Sequence, residues 1–206
     1  MSLLKRLLNP IYKKTEAKTK TSELPEHSTY YPEQKLPVDE KFTFNFKNNG
    51  GKFLYCENWE EIKEAFDNIL LENDWYEQDV FCFNEMLSEK FDGFNLNFVK
   101  NTNSTFFLTT CESLVAKNGS ILLSSNQIKE KKLSEFPFNI IVFATTSQIV
   151  ETISEGLRII KNQSLKHIPS NITTIQDFDT EKEKEKDFMS YGSSTKNLYL
   201  LLLEDL

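Results

Sequence analysis

The run Phe138 to Ala144, FNIIVFA, is apolar almost throughout and shows no in-out alternation. A strand with one wet face alternates, so a run of this kind has to be covered on both faces, as strands are in the parallel sheets of α/β proteins. Leu198 to Leu203, LYLLLL, repeats the pattern and reads as a closing strand inside the sheet rather than at its margin. Four more short apolar runs bounded by turn residues are expected strands: Phe53–Cys56, Asp79–Phe83, Phe106–Thr110 and Ser120–Leu123.

Helical periodicity fills the intervals. Asn58 caps a segment to about Asn73 in which Ile62, Phe66, Ile69 and Leu70 share one stripe, and Asn84 to Lys90 suits a short helix. Gln148 to Lys161 places Ile149, Ile153, Leu157 and Ile160 on one face. Glu112 to Lys117 suits one and a half turns of helix, with Asn118-Gly119 as a left-handed stop. The alternating FNLNF of Phe94 to Phe98 fits an edge strand. Repetition of strand, turn and amphipathic helix predicts a three-layer α/β domain with a mostly parallel sheet.

Upstream the signals change. Lys41 to Phe46, KFTFNF, alternates like a half-exposed strand or an arm laid on the domain, and Asn48-Asn49-Gly50-Gly51 forces a turn. Thr15 to Glu40 has too few large aliphatics to fold alone and reads as a linker. Met1 to Lys14 puts Leu3, Leu4, Leu7, Leu8 and Ile11 on one face ringed by Lys5, Arg6, Lys13 and Lys14, and Pro10 limits it to about two turns. The pattern suits a membrane-surface or partner-docking helix, or equally a frayed or core-docked N-terminal segment; it is too short to span a bilayer and too soon broken by charge for a signal peptide. The expected division is residues 1–40 as basic helix and linker, and 41–206 as the α/β domain.

The net charge of −7 is uneven, because residues 1–20 carry about +5 and the remainder about −12. An acidic body excludes nonspecific nucleic-acid binding, which needs a basic surface to displace counterions from phosphates. Cys56, Cys82 and Cys111 are odd in number and lack CxxC spacing, so they fit a reducing, cytoplasmic setting and hold no iron–sulfur cluster. Each lies in or beside an apolar strand and reads as a buried thiol. Two histidines, His27 in the linker and His167, do not make a triad or a zinc site. The Glu/Lys alternation of Thr180 to Lys186 is a solvated run, in which every carboxylate has the same wet surroundings and none is set apart for acid/base work.

One stretch offers a candidate pocket: Gly119, Ser120, Ser124, Ser125 and Asn126, flanking the strand Ile121 to Leu123. Loops beyond the carboxyl ends of parallel strands collect ligands, and their amides and hydroxyls suit a small anionic metabolite. Ser and Asn are also ordinary turn residues.

The same region carries a resemblance. Thr110-x-Glu112-x-x-Val115-Ala116-x-x-Gly119-Ser120-Ile121, then Leu133-Ser134-x-x-Pro137, then Ile140-Ile141-Val142 and Ser147-Gln148-Ile149-Val150, resembles the LUD domain of LutC/YkgG-type lactate utilisation proteins. Resemblance covers roughly Phe53 onward. It implies a NagB/RpiA/CoA-transferase-like α/β fold and a role beside iron–sulfur proteins that oxidise lactate to pyruvate. Departures from the family are specific. Its AETGT acid and first threonine stand here as Lys117 and Asn118, and Lys131 and Lys132 lie where an arginine often precedes LSxxP. Its ISGPSRTADIE and GVHGP segments read here IQDFDTEKEKE, from Ile175, and YGSSTK, with Ser193 in place of the histidine. The expectation is therefore an accessory LUD protein, non-catalytic or weakly ligand-binding, with no catalytic residue, metal or cofactor of its own. The alternatives are an enzyme of CoA-transferase-like fold acting on a small carboxylate or phosphorylated metabolite, and an interaction protein that docks through its N-terminal arm.

Overall fold

The computed structural model describes residues 36–164, 168–178 and 195–205. The expected helix Met1 to Lys14, most of the linker, both histidines and the Thr180 to Lys186 run lie outside these residues. In chain order the helices are α1 (Val38–Asn48), α2 (Trp59–Asn73), α3 (Glu85–Lys90), α4 (Ser125–Ile128) and α5 (Ile153–Gln163). The strands are β1 (Lys52–Cys56), β2 (Asp79–Phe81), β3 (Asn97–Val99), β4 (Phe106–Thr110), β5 (Ser113–Val115), β6 (Ser120–Leu123), β7 (Asn139–Thr145), β8 (Ile149–Val150), β9 (Thr173–Ile175) and β10 (Asn197–Leu203).

A six-stranded, wholly parallel sheet runs β1-β10-β7-β4-β2-β3. The two apolar runs are its interior: β7 is paired on both sides, with Leu200 opposite Val142 in β10 and Thr109 opposite Val142 in β4. Period-two geometry divides their side chains between two cores. Ile141, Tyr199, Leu201, Leu108 and Phe106 pack against α2 and α3 through Ile62, Phe66, Leu70 and Phe91. On the other face Ile140, Val142, Leu198, Leu200 and Phe107 meet α1 and a second, four-stranded sheet. The result is a three-layer α/β fold in which α1 and the small sheet share the third layer.

That small sheet, ordered β8-β5-β6-β9, corrects two expectations. Glu112 to Lys117 is not helical: Ser113–Val115 forms β5, antiparallel to β6 with Leu114 opposite Ile121. Asn118-Gly119 closes a hairpin here, a role for which this pair is as well suited as for ending a helix. The segment after β7 turns once through Thr146–Gln148, adds β8 beside β5, and enters α5 only at Ile153, where the Thr152 side chain accepts from the Glu155 N–H. Ile153 and Leu157 are consequently half exposed, and Gly156 and Ile160 take the buried face. A Cβ on Gly156 would lie 2.9 Å from Leu122 Cδ2, so the glycine is what lets α5 approach the sheet.

KFTFNF is also helical rather than extended. Its alternation places Phe42 and Phe46 four residues apart, and on α1 they stack at 5.4 Å and are fully buried while Phe44 is 59% exposed. Asp39 and Glu40 sit in the first turn and Lys47 in the last, as the helix dipole favours. Phe138 is left outside β7 and exposed, β2 stops at Phe81, and β3 is an edge strand as expected but spans Asn97–Val99, leaving Phe94 to Leu96 of the FNLNF run outside it. No helix among the described residues is long and apolar enough to cross a membrane.

Lys196 enters β10 from a buried position, 3% exposed, and its Nζ donates to the carbonyls of Phe136 (2.9 Å) and Pro137 (3.1 Å) just before β7. One ammonium thus ties the starts of the two central strands. A Lys196→Met variant keeps the apolar stem but strands two buried carbonyls, so its stability in urea titration should fall by about 2 kcal/mol.

Candidate functional site

Parallel strands β1, β4, β7 and β10 end together, and the residues that follow them form a polar band at the carboxyl edge of the sheet. Beyond β4, Glu112 Oε1 accepts from Ser124 Oγ (2.6 Å) and Asn126 Nδ2 (2.8 Å). Ser124 is fully buried and N-caps α4 in a capping box, its own N–H bonding Gln127 Oε1 at 2.9 Å. Beyond β7, Gln148 donates to the Cys111 carbonyl (2.7 Å) and accepts from the Thr145 N–H (2.9 Å). Beyond β10, Asp205 accepts from Thr146 Oγ1 (2.8 Å), Ser147 N–H (2.9 Å) and Ser147 Oγ (2.7 Å), and Tyr55 Oη donates to Glu204.

The sequence-proposed pocket residues divide into two groups. Ser124, Ser125 and Asn126 join this band, Ser125 pairing with Ser170 through its N–H (2.8 Å) and its Oγ (3.0 Å). Gly119 and Ser120 lie at the other end of β6, about 13 Å away at ~3.3 Å per residue. They sit beneath α1, whose Asn45 and Asn49 donate to the carbonyls of Ala116 (2.8 Å) and Asn118 (2.7 Å), while Ser120 donates to Asn118 Oδ1 (2.8 Å). The reason for the division is that β6 is antiparallel and belongs to the small sheet, so its end is not the carboxyl end of a parallel strand. Glu112, Gln148 and Asp205 were not singled out as site residues; the first two stand inside the motif block that carries the resemblance, and nothing local marks the third.

Cys111 is fully buried, and burial first, then the charge of Glu112, pushes its thiol far above the usual range. Cys56 is raised to about 11 by burial and then by Glu61 and Glu64. Neither is poised as a thiolate nucleophile. Among the described residues no three His, Cys, Asp or Glu gather as a metal site. A separate cleft of about 510 Å³ opens between β9 and the 131–134 segment, bordered by Lys131, Lys132, Ser134, Thr173, Thr174 and Gln176.

The architecture defines a class: a three-layer α/β protein built on a parallel sheet, with a paired polar band at the sheet's carboxyl edge. The pattern that defines the LUD domain matches residues 40–203, and the chain belongs to the LUD domain family. Family membership associates it with lactate utilisation at that general level. Among solved structures it is similar to the crystal structure of a DUF162 family protein from Deinococcus radiodurans, with 13% identity and a TM-score of 0.56 over 82% of this chain and 96% of that one. At that identity the likeness is one of fold. No curated protein matches the chain.

Two outcomes test these assignments. Gly119 has φ +65°, and a Cβ there would lie 2.4 Å from the backbone of Asn45 and Phe46. Gly119→Ala should therefore destabilise by more than about 2 kcal/mol in denaturant titration, by lifting α1 off the hairpin. Burial raises the pKa of Asp205, but the hydrogen bonds from Ser147, Thr146 and Thr145 outweigh it and hold the group at about 2, below its ordinary 3.8. A depressed carboxylate stabilises above its unfolded pKa and loses that contribution as pH falls through the folded one. The gap in melting midpoint between the wild type and Asp205→Asn should be steady at neutral pH and close between pH 3.8 and about 2.

Proposed function

We propose that this chain is an accessory LUD protein that supports lactate oxidation by iron–sulfur partners without carrying a redox centre or a catalytic residue of its own. The supporting observation is the carboxyl edge itself. Its acids and amides are engaged with one another: Glu112 with Ser124 and Asn126, Gln148 with the backbone at Cys111 and Thr145, and Asp205 with Thr146 and Ser147. Such a set stiffens the strand ends and presents a fixed surface, which suits docking better than turnover. In this reading the basic first twenty residues serve for docking, and the three free cysteines accord with a reducing, cytoplasmic setting. Of the candidate ligand residues Gly119, Ser120, Ser124, Ser125 and Asn126, the first two then act on structure, and only the Ser124 to Asn126 end stays placed for weak ligand binding at the carboxyl edge.

A second reading, an enzyme of CoA-transferase-like fold, draws on the half-exposed position of Glu112 beyond β4, where α/β enzymes place reacting groups. Reconstitution separates the two. The purified chain alone should reduce no artificial electron acceptor in the presence of lactate, should co-purify with the iron–sulfur components, and should raise their rate of lactate oxidation. Turnover of a small carboxylate by the chain alone, abolished by Glu112→Gln, would establish the enzyme instead.

A further inference from the structure

We infer that the cleft between β9 and the 131–134 segment binds an organic phosphate of about mononucleotide size. Its volume, about 510 Å³, falls within the roughly 300–1,000 Å³ of small-molecule sites. Its lining divides as such a ligand would require. Lys131 and Lys132 put two positive charges on one wall, the free edge of β9 with Thr173, Thr174 and Gln176 along it forms the other, and half-buried Leu133 supplies apolar surface beside them.

The wall that carries the lysines is held in place before any ligand arrives. Asn171, in the left-handed conformation at φ 49°, donates through Nδ2 to the carbonyls of both Lys129 and Lys131 at 2.8 Å. Ser170 adds a bond from its Oγ to Glu130 (2.9 Å), and the Glu135 carboxylate accepts from the Lys132 N–H (2.8 Å). The segment before β9 therefore grips the lysine segment at several points, and the backbone that carries the two lysines is pre-organised. Lys131 reaches Glu135 only at 4.0 Å, and both side chains are close to half exposed, an ion pair weak enough for a phosphate dianion to displace. β9 is the margin of the small sheet, paired with β6 alone, which leaves Thr173 and Thr174 half-buried and Gln176 exposed toward the cleft.

Phosphate fits this chemistry better than carboxylate. A planar carboxylate is matched by the fork of an arginine, whereas ammonium groups act as point charges that can surround a tetrahedral anion, with hydroxyls completing the set. The inference goes beyond the accessory role, since it needs no partner, and none of the band's acids, Glu112, Glu204 or Asp205, lines the cleft, which adjoins the band only through α4.

Isothermal titration of the full chain with AMP, ribose 5-phosphate, inorganic phosphate, adenosine and citrate tests it. AMP should bind saturably and be displaced by inorganic phosphate, and adenosine should bind at least about tenfold more weakly. Lys131→Ala with Lys132→Ala should weaken AMP by about tenfold or more at an unchanged melting midpoint, the two side chains being partly exposed. Ser134→Tyr, which fills the cleft and leaves both charges in place, should also abolish binding. Absence of saturable binding by every phosphate, survival of AMP binding in both variants, or citrate binding as tightly as AMP would each overturn the assignment. Because the readout contains neither lactate nor an iron–sulfur partner, its failure is distinct from failure of the accessory role.

Discussion

The rest of this structure depends on the double-sided burial of β7 and β10. Both strands are hydrogen-bonded along both edges, and successive side chains enter opposite cores, so neither face of the sheet tolerates water. Two complete apolar layers must therefore be supplied by the remainder of a chain of 206 residues. Phenylalanine supplies much of the volume: Phe66, Phe91 and Phe106 on the helical side, Phe42, Phe46, Phe81 and Phe107 on the other. Large planar rings fill space with few rotatable bonds and pack edge to face, as Phe66 does against Phe94 at 5.1 Å.

That demand displaces polar chemistry to the strand ends. At the amino end Lys196 satisfies the carbonyls that precede β7, and at the carboxyl end Glu112, Gln148 and Asp205 are matched with neighbouring hydroxyls, amides and N–H groups. The described residues contain no buried side-chain nitrogen or oxygen without a partner. A network satisfied in this way is rigid, since moving any member exposes another. Rigidity at the carboxyl edge agrees with a surface for assembly, while the open cleft beside β9 keeps lysines and hydroxyls turned to solvent and so available to a small molecule.

Where sequence reading and structure part, the cause is the same each time: a local pattern compatible with two conformations. KFTFNF buries Phe42 and Phe46 together either as a strand or as one helical turn, and the pocket left by Phe53 and Phe178 decides for the helix. Glu112 to Lys117 is short enough to be either, and pairing of Leu114 with Ile121 decides for the strand. The candidate site suffers from the same limit. Gly119 and Asn126 are near in sequence, yet β6 carries them to opposite ends, and Asp205 reaches the site from the far end of the chain.

What the sequence by itself determined was the class of fold and its interior. Short, nearly continuous apolar runs at Phe138 to Ala144 and Leu198 to Leu203, bounded by turn residues, fit strands covered on both sides, and the spacing from Thr110 to Val150 carried the LUD resemblance. What only the tertiary structure decided was the second sheet, the helical α1 and the separation of the polar residues into an edge band and a cleft. Burial is written in local periodicity, which a chain displays residue by residue. Strand partnership, and with it the place where residues beyond β4, β7 and β10 meet, depends on pairings between residues distant in sequence, and these exist only once the chain has folded.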